Sequence, residues 1–157
     1  MRLLRRSTRF SVASVCLGVA TILSVAGCSA QGQAQFVGRE IQVTHVYDDP
    51  ALPTAAPENA IPPMITFGGR TYTVTSQCGT ATGEVDWRGE AAVVDKPEPQ
   101  LQRKCSPAMQ TFVDRLFAQL DGEYTFDAND NSVRFARVEK PTAGEAPAGW
   151  AGLLRTD

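Results

Sequence analysis

Histidine is almost missing from this 157-residue chain, and His45 stands alone. Any Ser-His or Cys-His catalytic pair therefore has to run through it. No motif surrounds it, so it reads as a hydrogen-bonded or exposed strand histidine. The chain also lacks a glycine-rich phosphate loop, a His-Glu-x-x-His zinc pattern and a basic patch interleaved with aromatics. Those absences exclude the common nucleotide, zinc-protease and nucleic-acid signatures. Asp127-Ala128-Asn129-Asp130-Asn131 resembles a calcium loop only in passing. Ser132 stands where the sixth-place glycine belongs, and Val138 where the twelfth-place glutamate belongs. Asn and Asp are what a strand-to-strand turn prefers, and the segment reads as a turn. Glu84 and Asp86, two residues apart, form the solvated side of a strand whose Val85 and Trp87 face inward. The sequence therefore points to a non-enzyme that calls for no cofactor and no metal.

A long apolar run is missing as well. The uncharged apolar stretch from Phe10 to Ala26 is 17 residues, at the low edge for a permanent membrane span. Arg2, Arg5, Arg6 and Arg9 precede it, and Leu23-Ser24-Val25-Ala26-Gly27-Cys28 follows. A basic start, a short apolar core and small residues before a cut describe a secretory signal peptide. The last six residues resemble the bacterial lipobox, in which the cysteine thiol accepts diacylglycerol. The expected organisation is a lipoprotein signal peptide over residues 1–27, a lipidated tether over 28–35 beginning at Cys28, and one domain over 36–157. A thioether-linked diacylglycerol with an N-acyl chain (palmitate, for example) anchors a protein stably without a spanning helix. The expected location is the cell membrane or outer membrane, on the extracytoplasmic side, with Ser29 permitting outer-membrane sorting.

Loss of residues 1–27 removes four arginines and no acid, taking the formal charge from −2 to −6. So acidic a chain is a poor partner for nucleic acid or for anionic lipid. Cysteine is equally sparse. Cys16 leaves with the signal and Cys28 takes the lipid, so Cys78 and Cys105 remain. In an exported chain such a pair reads as a disulfide, worth about 3 to 4 kcal/mol by loop-closure entropy. The rival, two free thiols or half a metal site, lacks the second Cys-x-x-Cys or His pair that zinc wants.

What is present is strand pattern. Within Phe36 to Tyr47, Ile41, Val43 and His45 alternate with Gln42, Thr44 and Val46, and the spacing predicts a strand. The proline-rich stretch from Asp48 to Pro63 predicts a loop outside any sheet. Met64–Phe67 and Arg70–Thr75 flank Gly68-Gly69, a hairpin signal. Gly83–Trp87 and Ala91–Val94 predict two more strands, ended by Pro97 and Pro99. Ser106-Pro107 opens a helix as N-cap and first residue, with Met109, Phe112, Val113, Leu116, Phe117 and Leu120 on one face. Glu123–Asp127, Val133–Val138 and Trp150–Leu154 complete the set. Strands, one helix, then strands predict an α+β fold in which a curved antiparallel sheet packs against one amphipathic helix.

Three segments carry a family resemblance: Ile65-Thr66-Phe67-Gly68-Gly69, then Gln77-Cys78-Gly79-Thr80-Ala81-Thr82-Gly83, then Gln102-Arg103-Lys104-Cys105-Ser106-Pro107-Ala108-Met109. In order and spacing they resemble the META/HslJ-like domain, over residues 61–138. That family typically has asparagine after the first cysteine, where Gly79 stands here, and glycine before it, where Gln77 stands. The resemblance implies a small bacterial lipoprotein, some relatives being linked to heat stress or antibiotic resistance. Two readings of function follow. One is a binding or accessory module that contacts another envelope protein through a sheet edge or open face. The other is a carrier or sensor of a small apolar ligand held between helix and sheet. Tyr72, Trp87, Phe112, Leu116 and Phe117 are the candidate ligand or partner surface.

Overall fold

A computed structural model of the chain describes residues 35–48, 52–139 and 147–155. The expected signal peptide, the expected lipidation site at Cys28 and most of the expected tether fall outside the described residues. Among the described residues, ten strands and the helix α1 follow in order: β1 Glu40–Tyr47, β2 Thr54–Ala55, β3 Met64–Phe67, β4 Thr71–Ser76, β5 Gly79–Arg88, β6 Ala91–Val94, β7 Glu98–Gln102, α1 Pro107–Gln119, β8 Gly122–Ala128, β9 Ser132–Arg137 and β10 Gly149–Leu154. No helix among the described residues is long and apolar enough to cross a membrane.

The expected α+β sheet with a helix on its face is overturned, because the fold is mostly strand and the sheet closes on itself. Strands pair antiparallel in the order β1, β3, β4, β5, β6, β8, β9, β10, and β10 returns to β1 from Ile41↔Leu154 to Tyr47↔Gly149. The result is an eight-stranded barrel, a size whose interior side chains alone can fill. Closure depends on two glycines in the seam strand β10. A Cβ on Gly152 would stand 2.6 Å from both the Gln42 carbonyl oxygen and Ile41 Cγ2. A Cβ on Gly149, whose φ is +137°, would stand 2.1 Å from the Phe135 carbonyl oxygen. Only residues without side chains let β10 sit this close to both neighbours.

Local departures have local causes. A register shift between Val43 and His45 turns Val46 inward, leaving His45 half-buried. The proline-rich stretch contributes β2, two residues paired to β1. β5 starts four residues earlier than the alternation suggested, and β7 forms across Pro99, where a strand end was expected. The Ala128–Asn131 segment is a turn, with Asn129 Oδ1 accepting from the Asn131 and Ser132 amides at 3.3 and 2.9 Å.

The barrel is filled from both ends. Phe36, fully buried, enters just before β1, its ring 5.0 Å from Phe126, 5.4 Å from Phe135 and 6.0 Å from Trp87. Deeper in, Phe135 stacks on Trp150 at 4.3 Å. At the opposite end α1 is the stopper, burying Met109, Phe112, Val113 and Leu116. Ser106 caps it, its Oγ accepting from the Met109 amide at 3.3 Å. The last turn carries no basic residue of its own. Arg137 of β9 supplies the cation instead, donating to the Ala118 carbonyl at 3.2 Å, to the Asp121 carbonyl and to the Tyr124 hydroxyl at 3.1 Å.

Two phenols inside this structure make its stability depend on alkaline pH. Tyr72 reaches across Gly83, where a Cβ would meet its ring at 2.5 Å, and donates to the Asp95 carbonyl at 2.6 Å. Burial first, then the neighbouring Tyr124 and Asp95, push its hydroxyl far above the ordinary range. Burial likewise raises Tyr124, with Arg137 opposing. Above a pH of about 10 the unfolded chain releases these protons and the folded chain holds them. Stability is thus fully present below that pH and falls above it, by up to about 1.4 kcal/mol per pH unit for each phenol. Urea midpoints taken at steps above that pH are expected to fall more gently for Tyr72→Phe than for the parent. Equal slopes would show that Tyr72 does not govern the loss.

Candidate functional site

β5 outlasts β6, and β7 takes the rest of its edge, pairing Gly79↔Gln102, Thr80↔Leu101, Ala81↔Pro99 and Thr82↔Glu98, with Gln100 absorbed in an irregularity. Among the described residues no strand pairs with the other edge of β7, and all five of its residues are exposed. β7 is held firmly for an edge strand. Gly79, at φ +134°, lets the Leu101 carbonyl come so close that a Cβ there would be 1.8 Å away. The Arg103 amide donates to the Cys78 carbonyl at 2.7 Å. Cys78 and Cys105 are joined as a disulfide with Cα atoms 5.0 Å apart, tying the chain before β5 to the chain after β7.

Between β7 and α1 lies an open cleft of about 220 Å³. Leu101 lines it from β7, Arg103 from the residue just after the strand, and Gln110, Val113, Asp114 and Phe117 from α1. Its floor is apolar and its rim polar. Gln110 Nε2 donates to Asp114 Oδ1 at 2.8 Å, which fixes one wall. Gln110 Oε1 sits 3.5 Å from Cys105 Sγ, a contact only, since a disulfide sulfur has no proton to donate. One end of the cleft is positive. Arg103 and Lys104 are exposed and belong to no ion pair among the described residues. They adjoin the start of α1, whose first turn holds no acid to offset its dipole.

The residues nominated from sequence are dispersed. Tyr72, Trp87, Phe112 and Leu116 are between 0 and 8% exposed, so they form core and offer no surface to a partner. All four belong to one continuous core but to different parts of it. Trp87 packs with Phe36, Phe67 and Phe126 at the entry end, whereas Phe112 and Leu116 belong to the stopper at the other. Phe117 alone, half-buried, reaches the cleft. His45 Nδ1 lies 3.1 Å from the Thr44 hydroxyl, which itself donates to the Ala151 carbonyl at 3.3 Å. The imidazole is thus tied to a backbone network, with no carboxylate bonded to it among the described residues. Glu84 and Asp86 point outward from β5 while Val85 and Trp87 point in. No group of three or more His, Cys, Asp or Glu side chains that could hold a metal ion occurs among the described residues.

Sequence reasoning missed Leu101 and Arg103. The Gln100-Leu101-Gln102 alternation is too short to register as a strand, and Pro97 and Pro99 read as terminators. The signal that was available is the cysteine pair, because a bridge from Cys78 to Cys105 returns the intervening chain to the start of β5.

No family model and no curated protein matches this chain. A protein structure solved by NMR is similar to it over 78% of this chain and 93% of its own, with a TM-score of 0.52 and 15% sequence identity. At that identity the likeness speaks for the fold alone.

Proposed function

We propose that this chain is a lipid-anchored protein of the bacterial cell envelope that acts without catalysis, as a binding or accessory module for another envelope protein. The observation that carries this reading is the filled barrel: aromatic side chains occupy one end and α1 the other, so recognition falls to the outside, where β7 has an edge left unpaired among the described residues. The lipobox-like Leu23–Cys28 segment supports the anchor, and the resemblance to META/HslJ-like lipoproteins points the same way. With Cys28 acylated, the anchor would join the domain at the Phe36 end of the barrel, opposite the end that carries the disulfide, β7 and the cleft.

The test starts from the tagged full-length chain expressed in a bacterium and recovered from membranes. Mass spectrometry is expected to find Cys28 at the N-terminus carrying diacylglycerol. Photocrosslinking from exposed positions in the intact envelope is expected to join it to one dominant protein. An intact N-terminus or a cut elsewhere would sink the anchor, and a chain that crosslinks to nothing would sink the module. The apolar-ligand reading gains nothing from this structure, since Trp87, Phe112 and Leu116 fill core where that reading needs them to line a cavity.

A further inference from the structure

We infer that the free edge of β7 and the cleft beside it take an extended, acidic segment of the partner protein as an added strand. This rests on the reading of the domain as a binding module and says where and what it binds. A strand edge recognises main chain, and a neighbouring pocket selects side chains. Both are present, for β7 has no strand on its outer edge among the described residues, and Leu101, Val113 and Phe117 offer an apolar seat beside it. The seat has room for one or two side chains. The edge is also preformed, pinned by the Gly79 contact and the disulfide, so little ordering cost falls on binding.

Charge decides the occupant. Pro99 has no N–H to donate, which confines pairing to the Gln100–Gln102 half of the strand. That half leads into Arg103, Lys104 and the start of α1, whose first turn holds no acid. A carboxylate of the incoming strand satisfies all three, and a lysine there is repelled. A second copy of this chain is a poor occupant, since its own β7 brings the same prolines and the mature chain carries a net −6.

The experiment uses the lipidated chain in detergent micelles with its amides followed by NMR. The probe is an eight-residue peptide alternating valine and threonine and ending in two aspartates. Compared with it are the same peptide ending in two lysines and an aspartate peptide N-methylated at alternate residues. The aspartate peptide is expected to shift the amides of Gln100–Lys104 and Gln110–Phe117, and to bind at least about tenfold tighter than the lysine peptide. The exposed double variant Arg103→Glu/Lys104→Glu is expected to reverse that order, and N-methylation to abolish the shifts. The proposal is overturned if those amides stay still at about 1 mM peptide, if the two charged peptides bind alike, or if the N-methylated peptide binds as well. It is also overturned if the β7 amides instead respond to protein concentration, marking self-association. A partner crosslinked in the envelope through another face, with these amides silent, removes this site and leaves the binding module standing. A chain that crosslinks to nothing removes the module itself.

Discussion

Alanine at Gly149 is expected to cost about 2 to 6 kcal/mol, adding backbone strain of about 1 to 3 kcal/mol to a similar overpacking term. Its φ of +137° is hostile to any side chain, and the new Cβ would stand 2.1 Å from the Phe135 carbonyl oxygen, which is backbone and cannot rotate away. Gly152→Ala is expected to cost less, about 1 to 3 kcal/mol, because its φ is ordinary and only the 2.6 Å approach to Gln42 and Ile41 must relax. Both lie in β10, the strand that joins β9 to β1, so the losses report on closure. Thermal unfolding followed by circular dichroism should place the midpoints in the order parent, Gly152→Ala, Gly149→Ala. An unchanged midpoint for Gly149→Ala would mean that β10 does not sit between β9 and β1 as described.

Phe36→Ala should cost about 3 to 5 kcal/mol, the usual range for a fully enclosed phenylalanine. Phe36 belongs to no strand, yet it has no exposed surface and its ring packs on Trp87, Phe126 and Phe135. The Gly38 amide, donating to the Phe67 carbonyl at 2.8 Å, holds the entering chain over that end of the barrel. Exposed Gln35→Ala, one residue earlier, should stay within about 0.5 kcal/mol of the parent. Urea unfolding of the two variants separates a plug from a tether, and equal midpoints would make Phe36 part of the tether. If it is a plug, the chain that precedes the domain joins it at the plug, and a pull on that chain acts on the barrel core.

Several elements were legible because their signals are local. The Met64–Phe67 and Thr71–Ser76 hairpin and the Ser106-Pro107 helix start each rest on residues within a few places of one another. Other features depend on partners far along the chain. The helix C-terminus is stabilised by Arg137, 16 residues beyond Asp121, and nothing in the Gln119–Gly122 segment announces it. β7 forms across Pro99 because β5 presents an edge and the disulfide brings the chain back to it, against the local reading of proline as a terminator. The five nominated residues were chosen for size and apolarity, and most of them are core for that same reason.

From the amino-acid order alone come the strand pattern, the helix and its cap, the solvated face of Glu84 and Asp86, and the absence of the common catalytic motifs, because period and spacing are properties of neighbours. Whether the helix covers a sheet or stops a barrel is a different kind of fact. It turns on β10 reaching β1, which pairs Leu154 with Ile41 across 113 positions through a seam that two glycines hold open to backbone. No local pattern encodes that approach. The tertiary structure decided it, and with it decided that the large apolar residues fill the interior while a short, proline-marked strand is left at the surface, its outer edge unpaired among the described residues.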